Sequence, residues 1–425
     1  MESDLYEILG ISSDADHNTI RTAYFRMARA HPPDRDPETF ERVRQAYQTL
    51  SNREARQDYD AMRRFGGEIE ETLIKAEQAI AEDRNEDAVR AFKRVLVLNP
   101  RLDAVRDQLA QCLLVLKRHP EAVQVLQTLV KRTPDNAVYW CHLGLALSRW
   151  ANDGDTRQNE AAARFARARD AYSRAIQLEP HNPDLYRELA WTYVFQLDHA
   201  KAIEWFRKGI NADDKVDLFD IDALTDICFV AAWGNLDSEF QAAYESITGI
   251  ISDGPEDARD YAARCLARHG SDAHSKHVFS VSWRFFRAAH AIGLSDPEAQ
   301  SILGRLVTSA GAGSEMDRLA ADDSINLPFR TVIYLFVADV LDYPVSGRAG
   351  FEGKAQASLM SIDHTSLERS TRALRLSYPN IYVIAKDYVD SIKQTINGRR
   401  PVNTGSGCMI PVLVTLAIAA LALIL

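Results

Sequence analysis

The sequence has few cysteines and no excess of positive charge, and each of these absences excludes a class of protein. Its five cysteines are scattered along 425 residues, without the short spacings of a disulfide framework or a zinc site. Four of them lie within apolar helical patterns, which is typical of buried free thiols in a reducing compartment. The formal net charge is −10, so we expect no nucleic-acid partner, because phosphate binding requires a concentrated basic surface.

Sequence motifs for catalysis and metal binding are also missing. The chain has no glycine-rich phosphate loop, no His-Glu-x-x-His pair and no Gly-x-Ser-x-Gly turn. His269, His274 and His277 lie close together in a polar stretch, but only the last pair has the spacing of two ligands on one helix face. We interpret these histidines as part of a solvated loop. The sequence therefore predicts that the protein is not an enzyme and holds no metal or other cofactor.

One long apolar run stands out, at the C-terminal end of the sequence. Residues 409–425 carry no charge, and Thr415 is their only polar side chain. At about 1.5 Å per residue the run spans roughly 25 Å as a helix, close to the hydrocarbon thickness of a bilayer. Arg399 and Arg400 stand upstream of it, within the Gly/Ser-containing polar linker 399–408. We predict a tail-anchored protein with one transmembrane helix and its N-terminal bulk in the cytoplasm.

The location of this membrane follows less directly from the residues. The N-terminus is acidic and has no apolar run, so we expect no secretory signal. The pattern fits a bacterial inner membrane or the surface of an organelle, and we favour the bacterial membrane. The alternative is that a partner protein sheathes the apolar run of a soluble protein.

Near the N-terminus, a proline-rich loop joins two segments that have the apolar spacing of amphipathic helices. The first segment is 19–30 and the second is 37–50, and in each the apolar side chains recur every three or four residues. Two such segments joined by a short loop predict an antiparallel helical hairpin. The loop consists of His31, Pro32, Pro33 and Asp34.

This region resembles the J-domain family. The residues that carry the resemblance are Asp4-Leu5-Tyr6, Leu9-Gly10, Ala23-Tyr24, Pro33-Asp34, Ala46-Tyr47, Leu50-Ser51 and Tyr59-Asp60. The resemblance implies a small helical bundle over residues 1–66 that docks a DnaK-type chaperone through the loop and a basic second helix. The basic side chains of that helix are Arg21, Arg26 and Arg29. An ordinary solvated helix face is the alternative interpretation of these three arginines.

The loop departs from the family at one position. J-domains carry His-Pro-Asp, and the histidine is needed to stimulate ATP hydrolysis by the chaperone. Aligned without gaps, Pro33 and Asp34 match the Pro-Asp pair, and Pro32 takes the place of the histidine. The alternative is an inserted residue that keeps His31 as the functional histidine, but it rotates the junction of helix and loop by about 100°. The resemblance therefore implies docking with doubtful stimulation of ATP hydrolysis.

A sequence repeat follows over residues 67–214. Gly66-Gly67 predicts a break in the helix before it and marks a domain boundary. Ala88, Phe92 and Pro100 recur as Ala122, Leu126 and Pro134, 34 residues later. Two further units follow, the first lengthened by a polar insertion around Asp153-Gly154. These units resemble tetratricopeptide repeats, which implies helix pairs that stack into a solenoid.

Such arrays bind a protein or peptide in a groove lined by the first helix of each pair. The side chains expected there are Gln111, Trp140, His142 and Tyr186. Asp107 and Asp184 lie on the same faces, so a clamp of lysines and asparagines for acidic chaperone tails is not expected. A purely structural spacer is the alternative to a binding groove. Residues 215–398 remain helical without a clean period and are interpreted as degenerate repeats.

These observations predict an all-α protein in which a J-domain-like bundle precedes a tetratricopeptide-type solenoid and a C-terminal transmembrane helix. The leading hypothesis is a membrane-anchored co-chaperone or adaptor that recruits a protein partner through its repeats and docks a DnaK-type chaperone. The alternative is a membrane scaffold without a chaperone role, in which the bundle is only a structural or docking module.

Overall fold

The chain folds entirely into α-helices in the part that the structure describes. A computed structural model describes residues 4–154, 157–213, 215–253, 257–346 and 348–398. These residues form twenty helices and no β-strand, which confirms the predicted all-α class. The chain divides into two compact units, Met1–Pro180 and His181–Leu425.

The first unit contains nine helices among its described residues. They are α1 (Leu5–Leu9), α2 (His17–Ala30), α3 (Pro37–Ser51), α4 (Arg53–Ala81), α5 (Asn85–Leu98), α6 (Asp103–Val115), α7 (His119–Arg132), α8 (Ala137–Ala151) and α9 (Gln158–Leu178). Side-chain oxygens cap the first four at their N-termini and accept from free backbone N–H groups. The capping residues are Asp4, Asp16, Asp36 and Asn52.

Helices α2 and α3 form the predicted hairpin, and the short helix α1 packs against both of them. Ile20 of α2 and Val43 of α3 are fully buried, together with Leu9 of α1. The rings of Tyr24 and Tyr47 stack with their centroids 4.3 Å apart, at the contact of α2 with α3. The amphipathic spacing read from the sequence thus places the apolar faces of both helices on one small core.

Helix α4 contradicts the predicted break at Gly66-Gly67, because it runs unbroken through both glycines. A glycine inside a helix costs about 1 kcal/mol relative to alanine. Packing against α5 offsets this cost, since Ile69, Ala76 and Ala79 of α4 are buried. Arg94 of α5 also pairs with Glu68 at 2.6 Å. The bundle and the first repeat therefore share one helix.

The repeats of the first unit consist of antiparallel helix pairs in close contact. A Cβ atom on Gly144 of α8 would lie 2.7 Å from the ring of Tyr172 on α9, so this position requires a residue without a side chain. Part of the predicted polar insertion is helical: α9 has 21 residues, whereas α5 and α7 have 14 each. Helix α9 is therefore seven residues longer than its counterparts in the two preceding repeats, while Asp153 and Gly154 lie between α8 and α9 outside any helix.

The second unit contains eleven helices among its described residues. They are α10 (Pro183–Val194), α11 (His199–Ile210), α12 (Leu218–Trp233), α13 (Asp237–Asp253), α14 (Ala258–Ser275), α15 (Phe279–Ile292), α16 (Pro297–Ala321), α17 (Leu327–Val340), α18 (Arg348–Leu359), α19 (His364–Ser377) and α20 (Pro379–Gly398). Helices α10 to α16 surround one apolar core, and α16 to α20 surround another. The buried carboxylate of Glu315 on α16 accepts from the backbone of Ile381 at the start of α20 (3.0 Å).

The prediction that His269, His274 and His277 share a solvated loop is wrong for the first two. His269 and His274 lie on α14. His274 is buried with its Nδ1 atom 3.3 Å from the hydroxyl of Ser282. Burial lowers the pKa of each of these two histidines to about 4. The polar residues between these histidines obscured the apolar spacing of α14 in the sequence. The apolar face of this helix includes Leu266, which is buried.

The predicted polar linker 399–408 and membrane anchor 409–425 lie outside the described residues. Within the described ranges, no helix combines the length and the apolar character that crossing a bilayer requires.

Candidate functional site

The loop between α2 and α3 is a tight turn. The backbone N–H groups of Arg35 and Asp36 both donate to the carbonyl of Pro32, at 3.0 and 2.9 Å. Pro33 therefore occupies the second position of a β-turn, where its fixed φ angle is favourable. Asp34 follows at the tip of the turn with its carboxylate exposed to solvent.

His31 is held at the base of this turn by a hydrogen bond to Asp36. It ends α2, and its Nδ1 atom lies 2.9 Å from Oδ2 of Asp36. The other carboxylate oxygen of Asp36 caps α3 by accepting from the N–H of Thr39. The contact with His31, followed by the contact with Thr39, lowers the pKa of Asp36. The imidazole of His31 thus links the two ends of the loop. Pro32, and not His31, is the residue directly before the Pro33-Asp34 pair.

The three arginines of α2 have different surroundings. Arg26 donates to the carbonyls of Leu9 (3.1 Å) and Gly10 (3.4 Å), so its guanidinium satisfies the C-terminus of α1. Arg21 lies over the ring of Phe25, 5.9 Å from its centroid. Arg29 is exposed one further turn along the same helix face. The exposed stripe of α2 is therefore Arg21, Phe25 and Arg29, with Arg26 beside it.

Phe25 is a candidate contact residue that the sequence analysis did not include. Its ring is 48% exposed on the polar side of an amphipathic helix. A large aromatic side chain at such a position is the signal that could have identified it, since exposed apolar groups next to charges mark interaction surfaces.

The residues shared with J-domains at both ends of the bundle form one network that ties α1 to α4. The hydroxyl of Tyr6 donates to Asp60 (2.7 Å) and accepts from Arg56 (2.8 Å). The hydroxyl of Tyr59 donates to Asp4 (2.8 Å). These hydrogen bonds hold the bundle closed and explain why polar residues occur at those positions.

The structure brings together two of the four residues expected in the repeat groove. Gln111 on α6 and His142 on α8 both contact the carboxylate of Asp107, at 3.1 and 2.7 Å. Trp140 instead donates from its indole N–H to the carbonyl of Pro134, 2.8 Å away in the loop before α8.

The fourth residue, Tyr186, lies in the second unit. There it faces α11: its ring centroid is 6.1 Å from that of Trp205, and its Cβ atom would lie 3.1 Å from a Cβ atom on Gly209. The assignment of these four residues to one groove stays a prediction.

A buried ion pair in the second unit was missed by the sequence analysis. Arg187 on α10 donates from Nε to Asp226 on α12 (2.6 Å), and the indole N–H of Trp191 donates to the same oxygen (3.3 Å). Asp226 is 1% exposed. Its burial raises its pKa to about 6, because loss of hydration outweighs the attraction of Arg187. A carboxylate inside the apolar run of α12 was the available signal.

Among the described residues, no group of three or more His, Cys, Asp or Glu side chains is placed to hold a metal ion. The four described cysteines are free thiols, and burial raises the pKa of Cys228 and Cys265. The expected absence of catalysis stays a prediction.

Comparison with known proteins identifies two regions of the chain. The DnaJ domain family matches residues 4–60, and a tetratricopeptide repeat family matches residues 79–143. The chaperone protein DnaJ of Campylobacter hominis is 43% identical over 72 residues, which are 16% of this chain and 19% of that protein. The DnaJ protein of Trichormus variabilis is 45% identical over 73 residues, with the same two shares. The match therefore spans about a fifth of these relatives' length.

Among solved structures, a tetratricopeptide-repeat protein of Thermus thermophilus is similar to 47% of this chain. The similarity covers 98% of that protein, with 21% sequence identity and a TM-score of 0.35. Together with the helix pairs described above, the family matches confirm both resemblances: the chain carries a DnaJ domain at its N-terminus and tetratricopeptide repeats after it.

Proposed function

We propose that this protein is a membrane-anchored co-chaperone or adaptor without catalytic activity of its own. Its DnaJ domain docks a DnaK-type chaperone, and its repeats recruit a protein partner. The observation that carries the chaperone part is the turn at Pro32, because it exposes Asp34 to solvent at the end of a helix, α2, that carries an exposed basic and aromatic stripe. The second partner follows from the repeats, whose family binds proteins.

Docking is proposed to stimulate ATP hydrolysis only weakly. Pro32 has no side-chain donor and no N–H group, so it cannot supply the interaction that the family's histidine makes. His31 is one residue away, but its imidazole is engaged with Asp36 at the base of the turn. Releasing it would break the hydrogen bond to Asp36, whose carboxylate also caps α3.

Substitution of one residue tests this proposal. We expect Pro32→His to raise the stimulated rate about tenfold or more, because the imidazole restores a hydrogen-bonding group worth about 1.5–3 kcal/mol with a charged partner, and 1.4 kcal/mol corresponds to a factor of ten. The measurement is single-turnover ATP hydrolysis by a DnaK-type chaperone in the presence of the full chain. His31→Gln serves as the matched control and should leave the wild-type rate unchanged. Strong stimulation by the wild type that disappears in His31→Gln would show that His31 is the functional histidine.

The membrane part of the proposal is supported by the sequence alone. Residues 409–425 form an uncharged run of nearly bilayer-spanning length. We expect the full chain to stay in the pellet when membranes from expressing cells are extracted with alkaline carbonate. Release into the supernatant would remove the anchor and leave a soluble adaptor whose apolar run is covered by a partner.

The scaffold alternative is favoured by one observation, the continuity of α4. Arg101, in the loop after α5, pairs with Glu54 and Asp58 of α4, each at 2.8 Å. These contacts join the bundle to the first repeat as an end cap would. A bundle that serves only as an end cap does not require an exposed carboxylate at Asp34. Replacing Asp34 by a neutral residue should therefore weaken chaperone docking under the first function and have no effect under the second.

A further inference from the structure

The helices α19 and α20 form an antiparallel hairpin whose outer side has no role in the proposed function. Glu368 in the first half of α19 pairs with Lys393 near the end of α20, at 3.0 Å. Arg375 near the end of α19 lies over the ring of Tyr382 at the start of α20, 5.9 Å from its centroid. The hairpin buries one side in the apolar core that α16 to α20 surround, and its opposite side is exposed to solvent.

The exposed side of α19 carries three arginines. Arg369, Arg372 and Arg375 follow one another at intervals of three residues, so they lie along one face of the helix. All three are exposed. Glu368 is the one acidic residue within α19, and it pairs with Lys393. Among the described residues, no ion pair includes any of the three arginines. Their positive charge is therefore available to a partner.

Two apolar side chains accompany the arginines on this side. Leu376 is 71% exposed and stands four residues after Arg372 on the same face of α19. Val383 on α20 is 64% exposed, and Lys386 is exposed three residues later. We name these side chains the α19/α20 surface: Arg369, Arg372, Arg375, Leu376, Val383 and Lys386. Such a surface can contact lipid phosphates with its cations while its apolar groups insert between the headgroups.

The net charge of the sequence changes sign in the same region. Residues 364–408 carry seven lysines and arginines and three acidic residues. The 363 residues before them carry 43 lysines and arginines and 57 acidic residues. Asp387 and Asp390 balance Lys386 and Lys393, so α20 is neutral, and the excess positive charge of the hairpin comes from α19. The part of the sequence next to the uncharged run is therefore the part that attracts anions.

The position of the hairpin in the chain selects a membrane as the anionic partner. Helix α20 ends at Gly398, and the predicted linker 399–408 and apolar run 409–425 follow it. Ten residues span at most about 35 Å when fully extended. The 20 residues of α20 extend about 30 Å. An anchor in the apolar run would therefore keep the whole α19/α20 surface within reach of the lipid headgroups.

We propose that the α19/α20 surface docks on the face of a bilayer that contains anionic lipids. The arginines bind headgroup phosphates, for which a planar guanidinium is well suited. Leu376 and Val383 insert at the boundary between headgroups and acyl chains. Docking lays α19 and α20 flat against the membrane. This inference rests on the proposed membrane anchoring and adds to it the class of lipid and the orientation of the hairpin.

Quenching of an introduced tryptophan by brominated lipid tests this inference. The full chain with Leu376→Trp is reconstituted into vesicles of phosphatidylcholine brominated on its acyl chains, with or without phosphatidylserine. We expect the emission added by Leu376→Trp to fall by about half in the vesicles with phosphatidylserine, because the indole then lies at the acyl boundary. It should stay unchanged in the vesicles without phosphatidylserine.

Removing the three arginines should abolish this quenching. Each arginine close to an anionic membrane contributes about fivefold to binding, so the triple variant Arg369→Gln, Arg372→Gln, Arg375→Gln should lose about a hundredfold in docking. Introduced together with Leu376→Trp, these substitutions should leave the added emission unquenched in vesicles with phosphatidylserine. Thermal unfolding of each variant shows that it is folded, which is the expected result because all four substituted side chains are exposed.

Matched controls use exposed residues outside the hairpin. Val97→Trp places the reporter at a position on α5 that is 79% exposed, and its emission should be unquenched in both vesicles. Arg259→Gln, Arg287→Gln and Arg305→Gln together remove three exposed arginines of the second unit. Arg287 lies over the ring of Trp283, so this set also includes one arginine that contacts an aromatic ring. It should leave the quenching of Leu376→Trp unchanged.

Two outcomes would overturn the inference. No quenching of Leu376→Trp in vesicles with phosphatidylserine is the result expected if an acidic protein segment covers the surface instead. Equal quenching with and without phosphatidylserine would show that the arginines do not select anionic lipid.

Flotation of the full chain with the same vesicles separates this inference from the proposed anchor. A chain that floats with both kinds of vesicle but shows no quenching has the anchor and lacks the docking surface. A chain that floats only with phosphatidylserine vesicles, and loses this in the triple arginine variant, has the docking surface and lacks the anchor.

Discussion

Replacing Arg187 by leucine is expected to destabilise the second unit by about 3–5 kcal/mol. Asp226 is 1% exposed, and Arg187 donates to it at 2.6 Å. Removing one partner of a buried ion pair leaves the other charge without compensation in an apolar environment. Trp191 still donates to the same oxygen, but a neutral indole cannot replace a guanidinium. Urea unfolding of the full chain, followed by tryptophan fluorescence at pH 7.5, measures the change.

The loss should grow with pH, and the direction follows from the pKa of Asp226. Burial raises that pKa from 3.8 to about 6 in the folded protein, so folding is favoured by protonation and loses stability as pH rises from about 4 to about 6. Without Arg187 the folded-state pKa rises further, and the penalty continues to increase above pH 6. We therefore expect a larger difference between variant and wild type at pH 8 than at pH 6.

Two comparisons separate the buried pair from ordinary surface charge. Lys276→Leu removes one partner of an exposed pair with Asp272 and should cost less than about 1 kcal/mol. The double variant Arg187→Leu, Asp226→Leu replaces both buried charges by apolar groups and should recover most of the stability. A double variant as unstable as Arg187→Leu alone would mean that the ion pair is not the cause of the loss.

Replacing Asp34 by asparagine is expected to weaken the docking of a DnaK-type chaperone about 10- to 100-fold. A hydrogen bond that involves a charged group contributes about 1.5–3 kcal/mol, and 1.4 kcal/mol corresponds to a factor of ten in affinity. Asp34 is exposed at the tip of the turn and caps no helix, so the substitution should leave the fold intact. Binding of the ATP-bound chaperone to the immobilised full chain provides the affinity.

Glu38→Gln is the matched control, because it removes the same charge from an exposed position in the first turn of α3. It should change the affinity less than twofold after correction for salt-dependent steering. If Asp34→Asn binds as the wild type does, or if neither binds, the chaperone role is lost and the end-cap function of the bundle is favoured.

The helices could be predicted from the sequence because their apolar residues recur with the period of a helix. This holds for α2 and α3, where Ile20 and Val43 are fully buried, and for the repeats that contain Phe92 and Leu126. The break at Gly66-Gly67 could not be excluded from the sequence, because glycine propensity is a local quantity and the burial of Ile69 depends on α5.

The candidate sites were less accessible to sequence analysis than the fold. The hydrogen bond of His31 with Asp36 depends on how α3 begins, and the sequence shows only that the two residues are close along the chain. Arg187 and Asp226 are 39 residues apart, and only the packing of α10 beside α12 brings them together. Pairs of this kind produce no periodic pattern in the sequence, so they can be identified only when the packing of the helices is known.

Helix α4 sets the reach of the DnaJ domain. Its 29 residues, from Arg53 to Ala81, extend about 44 Å at 1.5 Å per residue. The part between the network around Tyr59 and the buried Ala79 of the first repeat accounts for about 30 Å of this length. Each residue of a helix adds about 1.5 Å along the axis and a rotation of about 100°. One residue added to or removed from α4 would therefore turn the bundle by about 100° about the helix axis. A chaperone docked at Asp34 would therefore lie at a fixed distance from a partner bound to the first repeats, and at a fixed rotation about the axis of α4.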